Sequence, residues 1–209
     1  MSKTVVISLE GGEGAGKTSV IEKIKTHLES KGISHMITRE PGGVPISEKI
    51  REIILDKTHD EMDHRTEALL FAAARRQHLI EKVIPAIRSG IEVVVFDRFV
   101  DSSMVYQGYV RGIGVDEVYQ MNLFATEGFL PDLTLYLDLD PEIGLARINS
   151  NPDREINKLD METLEFHKLV REGYLELASK FPERIRIINA ENSIEEVCEE
   201  SVKEIEVFL

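Results

Sequence analysis

The sequence is poor in several features that would define a class of function. It has one cysteine, Cys198, so no disulfide can form within the chain and a reducing compartment such as the cytoplasm is expected. Lysine and arginine number 25 against 38 acidic residues, and the net charge of −13 argues against a general nucleic-acid-binding surface. The sequence shows no apolar stretch typical of a signal peptide or membrane span, so we expect no membrane partner. An anionic ligand would need a local concentration of basic side chains.

Short apolar runs alternate with helix-length segments along the 209 residues. The runs lie at 5–9, 35–38, 91–96, 133–137 and 185–188, and helical spacing of apolar residues is found at 17–31, 65–88, 115–127, 159–180 and 193–209. Strands separated in this way indicate a parallel sheet with helices on both faces. The length and the 42% hydrophobic content fit one domain over residues 1–209. The sequence therefore predicts an α/β fold of three layers, with ligands at the carboxyl ends of the strands.

The first apolar run leads directly into a glycine-rich stretch. The stretch consists of Gly11, Gly12, Glu13, Gly14, Ala15, Gly16, Lys17 and Thr18, which fits the pattern G-x-x-x-x-G-K-[ST] and precedes an amphipathic helix. Such glycines let backbone N–H groups face phosphate oxygens, Lys17 would bridge the outer phosphates, and the Thr18 hydroxyl is placed to bind Mg²⁺. The pattern predicts a nucleoside triphosphate site rather than a plain strand-to-helix turn.

Asp97 and Arg98 directly follow the apolar run at 91–96. A carboxylate at the end of a buried strand is the usual second element of a nucleotide-bound metal site, which suggests this role for Asp97. Arg98 would offer a planar set of donors to phosphate oxygens. The pair could also be a surface cap of the strand, but beside a phosphate loop we predict that both residues are catalytic.

Four motifs, in this order and spacing, resemble those of bacterial thymidylate kinases. They are residues 10–18, Thr38-Arg39-Glu40-Pro41-Gly42-Gly43, Asp97-Arg98-Phe99, and Asp101-Ser102-Ser103-Met104-Val105-Tyr106-Gln107-Gly108. The resemblance spans nearly the whole chain. It implies transfer of the γ-phosphoryl group of ATP to dTMP, with Mg²⁺ as cofactor and ADP and dTDP as products. It also implies the P-loop kinase fold with a five-stranded parallel sheet, in a cytoplasmic homodimer.

The same resemblance assigns residues to the dTMP site. Glu13 matches an acid that accepts a hydrogen bond from the 3′-hydroxyl of dTMP, which would explain a carboxylate inside a phosphate loop. Phe71 and Arg75 lie four residues apart on one face of a predicted helix, and they match residues that stack on thymine and bind its carbonyl. The resemblance assigns Arg98 and Arg51, which lies on a helix after Pro45, to the dTMP phosphate. It assigns Ser103 and Gln107 to the pyrimidine edge, Tyr106 to the 2′ position, and Arg39 and Pro41 to the shape of the site.

A polar, turn-rich stretch covers residues 149–158. The phosphate loop contains no arginine, and relatives of that kind use basic residues of a lid over ATP. We therefore expect a small lid near residues 147–160, in which Arg154 stabilises the transferring phosphoryl group. Arg147, which we assign to ATP binding, and Lys158 are further candidates for this cation.

Three alternative functions stay open at this point. Asn157-Lys158-Leu159-Asp160 spells the guanine-reading tetrapeptide of GTPases, but it does not follow an apolar strand as that motif should. Another nucleotide or nucleoside kinase would share the phosphate loop and Asp97-Arg98, and only the base-reading residues distinguish it. A scaffold that binds ATP without catalysis should have lost Lys17, Asp97 or Arg98. The six histidines show no paired metal-ligand spacing and are expected at the surface or in helix packing.

Overall fold

The computed structural model describes residues 3–150 and 162–209. Within them, all five apolar runs form strands, because β-branched and aromatic side chains fit a sheet that is covered on both faces. The strands are β1 (Val5–Gly11), β2 (His35–Arg39), β3 (Val93–Asp97), β4 (Leu133–Asp138) and β5 (Ile185–Asn189). They form one parallel sheet in the order β2-β3-β1-β4-β5. The predicted five-stranded parallel sheet is confirmed.

Helices connect successive strands. They are α1 (Lys17–Ser30), α2 (Pro45–Leu55), α3 (His64–His78), α4 (Ile84–Arg88), α5 (Val100–Ser103), α6 (Val115–Thr126), α7 (Pro141–Asn149), α8 (Leu164–Lys180) and α9 (Ile194–Glu206). Two π-helical segments, π1 (Leu79–Val83) and π2 (Met104–Val110), continue α3 and α5.

Two helices differ from the prediction. The helix expected to begin at residue 159 begins at Leu164, because the Thr163 side chain accepts a hydrogen bond from the backbone N–H of Phe166 and caps it. Helix α7 was not predicted, since its nine residues are too few for a clear apolar period. Asp140 caps its first turn by accepting from the backbone N–H of Glu142, and Pro141 begins it. Residues 147–149, which we expected to open a lid, are the last residues of this helix.

The sheet is packed on both faces, which gives the three predicted layers. On one face, apolar residues of α1 and α9, among them Ile24 and Val197, bury the side chains of Ile7 and Leu135. On the other face, π1, π2 and α8 cover Val6, Val94 and Phe96. The register places Leu9 of the central strand β1 opposite Asp97 of β3, which also faces Arg39 of β2. The loops that follow these strands therefore meet at one edge of the sheet.

Candidate active site

A cleft of about 450 Å³ opens at this edge. Most of the predicted site residues line it: Glu13, Gly14, Ala15, Gly16, Lys17, Thr18, Arg39, Pro41, Arg51, Phe71, Arg75, Asp97, Arg98, Ser103, Tyr106, Gln107 and Arg147. Gly11 ends β1, and Gly12 lines a smaller cavity behind the loop. Arg154, Lys158 and the rest of the guanine-like tetrapeptide lie outside the described residues. The structure thus brings the predicted phosphate, base and sugar positions to one cleft, and their individual roles stay predictions.

The phosphate loop packs closely against helix α7. Gly14 has a φ of +74°, and a Cβ there would lie 2.4 Å from the carbonyl oxygen of Gly144. A Cβ on Gly144 would in turn lie 2.3 Å from the carbonyl oxygen of Glu13. Arg147 of the same helix donates to the carbonyl of Gly14 at 3.3 Å. The loop and α7 therefore touch through backbone atoms, and both glycines are needed for that approach.

Lys17 lies over its own loop. Its Nζ donates to the carbonyl oxygens of Gly11 at 3.0 Å and Gly12 at 2.9 Å. Burial, and then the charge of Arg98, lowers the pKa of Lys17 to about 8, although Glu13 and Asp97 oppose the shift. Anionic phosphates in the cleft would favour the charged form of this amine again.

Arg98 lines the cleft, and its backbone has a conformation that residues other than glycine rarely adopt. Its φ is +65°, in the left-handed region, and its N–H is bonded to the carbonyl of Leu9 at 3.1 Å. The next N–H, that of Phe99, donates at 2.8 Å to the buried carboxylate of Glu10. Glu10 also accepts from Ser102, and from Tyr174 at 2.9 Å. This fully buried acid therefore holds the turn that presents Arg98.

Glu13 lines the cleft and carries a negative charge that neighbouring side chains stabilise. Arg98 donates to it at 2.8 Å, the Tyr106 hydroxyl at 3.2 Å, and the Arg98 guanidinium lies 5.4 Å from the Tyr106 ring centre. Burial opposes the charged form, but Arg98, His167 and Lys17 outweigh it and hold the pKa of Glu13 well below its usual range. Burial is also the main reason that the pKa of Tyr106 is raised. Glu13 is thus ionised and turned toward Arg98 and Tyr106.

Arg75 is a buried arginine that lines the same cleft. Its side chain is only 3% exposed, and its Nε donates to Glu40 at 2.6 Å. The two Nη atoms donate to the Ser103 hydroxyl at 3.1 Å, to the Phe99 carbonyl at 3.0 Å and to the side-chain oxygen of Asn122. Four partners from distant segments fix the guanidinium in one orientation, so it is a rigid set of donors beside Phe71.

Two further guanidinium groups converge on the carbonyl of Pro41. Arg39 donates to it at 2.9 Å and Arg51 at 3.1 Å, while Arg39 also pairs with Glu48 at 2.8 Å. The Glu40–Pro41 peptide bond is cis, a question that the sequence left open. Both arginines line the cleft and therefore add positive charge to its wall.

Sequence reasoning missed His167, which it placed at the surface or in helix packing. The residue is 5% exposed, and its Nδ1 lies 3.4 Å from Oε2 of Glu13. Its Nε2 is buried and has no hydrogen-bond partner among the described residues. Helical spacing could have indicated its burial, since His167, Val170 and Tyr174 share a buried face of α8. Nothing in the spacing pointed to Glu13.

Two features are absent from the described residues, a cluster of metal ligands and a membrane-spanning helix. Within residues 3–150 and 162–209, no three His, Cys, Asp or Glu side chains come close enough together to bind a metal ion. In the same ranges, no helix combines the length and apolarity that a membrane span requires.

Comparison with known proteins supports one family throughout. The sequence model of the thymidylate kinase family matches residues 9–201. A thymidylate kinase of Clostridium novyi is 56% identical over 200 residues, which are 96% of this chain and 97% of that protein. A thymidylate kinase of a Geobacillus species is 59% identical over 190 residues, which cover 91% and 90% of the two chains.

The fold comparison gives the same result. A crystal structure of thymidylate kinase from Ehrlichia chaffeensis superposes with a TM-score of 0.76 at 29% identity, over 97% of this chain and 98% of that one. The family model covers most of the sequence, and both relatives match it over nearly their full length. The chain belongs to the thymidylate kinase family.

Proposed function

We propose that this cleft transfers the γ-phosphoryl group of ATP to dTMP, giving ADP and dTDP. Membership of the thymidylate kinase family supports both the reaction and its two substrates. The observation that carries the assignment to this cleft is the ion pair between Glu13 of the phosphate loop and Arg98. It joins the phosphate loop to the segment Arg98-Phe99, and the Phe99 carbonyl in turn accepts from the buried guanidinium of Arg75.

The phosphate loop is the donor side of our proposal. Backbone N–H groups of residues 11–18 bind the ATP phosphates, with Lys17 on the outer ones and Arg147 beside them. The Thr18 hydroxyl and the Asp97 carboxylate line the same cleft and are hard oxygen donors, which suits Mg²⁺. Two protein ligands leave room for phosphate oxygens and water, as this ion prefers. When bound, Mg²⁺ would neutralise charge on the phosphate oxygens.

The acceptor side is the half of the cleft beyond Glu13. Phe71 stacks on the thymine ring, and Arg75 donates to a carbonyl of the base. Glu13 accepts from the 3′-hydroxyl, and Tyr106, held against Glu13, crowds the 2′ position and favours deoxyribose. We assign Ser103 and Gln107 to the pyrimidine edge, and Arg39 and Pro41 to the shape of the site around them. Arg51 and Arg98 bind the dTMP phosphate.

Catalysis in this proposal is alignment and charge neutralisation. Two phosphate charges about 4 Å apart repel by roughly 4 kcal/mol at an effective dielectric of about 20, so cations must accompany them. Lys17, Arg98 and, from the proposed lid, Arg154 supply positive charge and hold the two phosphates in line. The acceptor is already an anionic phosphate, and the reaction therefore requires no general base.

We also propose that the chain acts as a cytoplasmic homodimer. Large apolar side chains are exposed on two neighbouring helices, with Leu69 of α3 at 60% and Phe124 of α6 at 88%. Arg76 of α3 reaches the Ala125 carbonyl of α6 at 3.4 Å, so the two helices lie side by side. A monomer mass by light scattering would contradict the dimer. The single cysteine supports a reducing compartment such as the cytoplasm, because no disulfide can form within the chain. Cell fractionation tests this location.

The test of function is an ADP-release assay with ATP and Mg²⁺ that offers dTMP, dUMP, dCMP, dGMP, AMP and UMP separately. We expect a strong preference for dTMP, because Arg75 would bind the edge of the base and Phe71 would stack on its face. Preference for another monophosphate would support a kinase activity but refute dTMP as its acceptor. GTP hydrolysis without any acceptor would favour a GTPase instead.

A further inference from the structure

A buried hydrogen bond lies behind the base end of the cleft. The side-chain amide of Gln107, on π2, donates from Nε2 to Oε1 of Glu67, on α3, at 2.9 Å. Gln107 is 2% exposed and Glu67 is 4% exposed, so water does not compete for this contact. Glu67 was not a predicted site residue and does not line the cleft, whereas Gln107 does.

The chemistry of Glu67 decides which way the Gln107 amide points. An ionised carboxylate only accepts hydrogen bonds, so it can bind the NH₂ end of an amide but not its oxygen. The Gln107 oxygen is therefore turned away from Glu67, and among the described residues no group donates to it. A glutamine without such a neighbour could present either end to a ligand.

Glu67 is itself held on its far side. Its Oε2 lies 3.7 Å from Arg111, which also pairs with Glu162 at 2.7 Å and lies 5.0 Å from the ring centre of Phe166. One carboxylate oxygen thus faces Arg111 and the other faces Gln107. Rotation of the carboxylate would break both contacts in a buried site, which costs free energy.

We propose that Glu67 is a specificity-determining residue, which orients Gln107 so that the cleft offers an acceptor beside the donors of Arg75. This inference rests on the proposed function, in which both side chains meet the edge of the base. Thymine and uracil present an acceptor at O4 and a donor at N3, which match that pair. Cytosine presents a donor at the 4-amino group and an acceptor at N3, which oppose it. Glu67 thereby selects against cytosine without contact to substrate.

The experiment measures kcat/KM for dTMP, dUMP and dCMP with wild type and Glu67→Gln. The glutamine fits the same space but can donate or accept, so it no longer fixes the Gln107 amide. We expect the dTMP-to-dCMP ratio to fall roughly tenfold, the usual effect of one hydrogen bond between a site and its ligand. The dTMP-to-dUMP ratio should stay within about twofold, because both bases have the same N3 and O4 edge.

Glu162→Gln is the matched control, because it makes the same chemical change at the other partner of Arg111, whereas Gln107 donates to Glu67 and not to Glu162. Both ratios should stay at their wild-type values in it. If Glu67→Gln does not fold, Glu67→Met keeps a similar volume without accepting a hydrogen bond, and the same result is expected.

The outcomes separate this inference from the proposed function. A wild type that does not prefer dTMP refutes both. A wild type that prefers dTMP, with an unchanged dTMP-to-dCMP ratio in the variant, refutes the role of Glu67 alone. A parallel fall of both ratios also refutes it, since that result would indicate a loosened pocket. An equal fall in the Glu162→Gln control would assign the effect to Arg111.

Discussion

The contact between the phosphate loop and helix α7 can be tested by one added methyl group. In most helices, replacing glycine by alanine stabilises the protein by about 1 kcal/mol. At Gly144, however, the new Cβ would lie 2.3 Å from the carbonyl oxygen of Glu13. Ordinary carbon-to-oxygen contacts begin near 3.3 Å, so loop and helix would have to separate by about 1 Å.

We expect Gly144→Ala to lower activity through this displacement. The carbonyl that must move belongs to Glu13, whose side chain we assign to the dTMP side of the cleft and whose neighbour Gly14 belongs to the phosphate loop. A displacement of about 1 Å at a reacting centre can cost on the order of a hundredfold in rate. Steady-state kinetics should show kcat/KM for ATP reduced by about that factor, together with a lower Tm.

Ala146→Gly is the control, because it weakens the same helix at an exposed position. It should lose about 1 kcal/mol of stability and retain the wild-type kinetics for ATP. A Gly144→Ala variant with a raised Tm and unchanged kinetics would refute the close packing of loop and helix. Equal kinetic losses in both variants would show that helix stability matters, and not the contact.

Three further predictions concern charge in the cleft. Because the pKa of Lys17 is lowered to about 8, we expect kcat/KM for ATP to fall as the pH rises through that value. A pH-rate profile measures this, and a kcat/KM that stays constant to roughly pH 10, as for an ordinary lysine, would contradict the lowered pKa. His167→Leu removes the contact of His167 with Glu13 and should reduce kcat/KM for dTMP by roughly tenfold. His167→Asn should retain most of the wild-type kcat/KM, because its side-chain amide replaces Nδ1. Equal kinetics in the two variants would rule out positioning of Glu13 by that nitrogen. Arg154→Ala should lower kcat tenfold or more with little change in the KM for dTMP, and an unchanged kcat would exclude Arg154 as the transition-state cation.

The sequence was sufficient for the sheet and for most of the cleft. Each strand contains a short apolar run, and three of the four motifs begin at the end of a strand, with the fourth a few residues after β3. Parallel topology then brings the motifs together without further information, because adjacent carboxyl ends meet at one edge of the sheet. This is why the positions of Lys17, Asp97 and Arg98 in one cleft could be predicted from order alone.

The supporting contacts could not be predicted in the same way. Arg75 is oriented by Glu40, Phe99 and Asn122, which are 24 to 47 residues away, and no local pattern encodes such pairs. Glu10 looks like the polar end of a strand, yet it is fully buried beneath the Arg98 turn. Side chains that orient other side chains act through tertiary packing, so their spacing in the sequence carries little signal.

Glu13 is a carboxylate in a loop that should bind phosphate, and the fold compensates for its negative charge. A carboxylate inside a phosphate-binding loop would repel ATP if its charge stood alone, at a cost of several kcal/mol in a partly buried site. Arg98 neutralises it at 2.8 Å from a backbone in the left-handed conformation, which is held by the bonds of its own N–H to Leu9 and of the Phe99 N–H to Glu10. Under the proposed function the loop therefore retains its attraction for phosphate through Lys17, while the paired carboxylate can still accept a hydrogen bond from the substrate. In the proposed function the ATP side and the dTMP side of the cleft share Glu13, and the strained backbone of Arg98 places its guanidinium beside that residue.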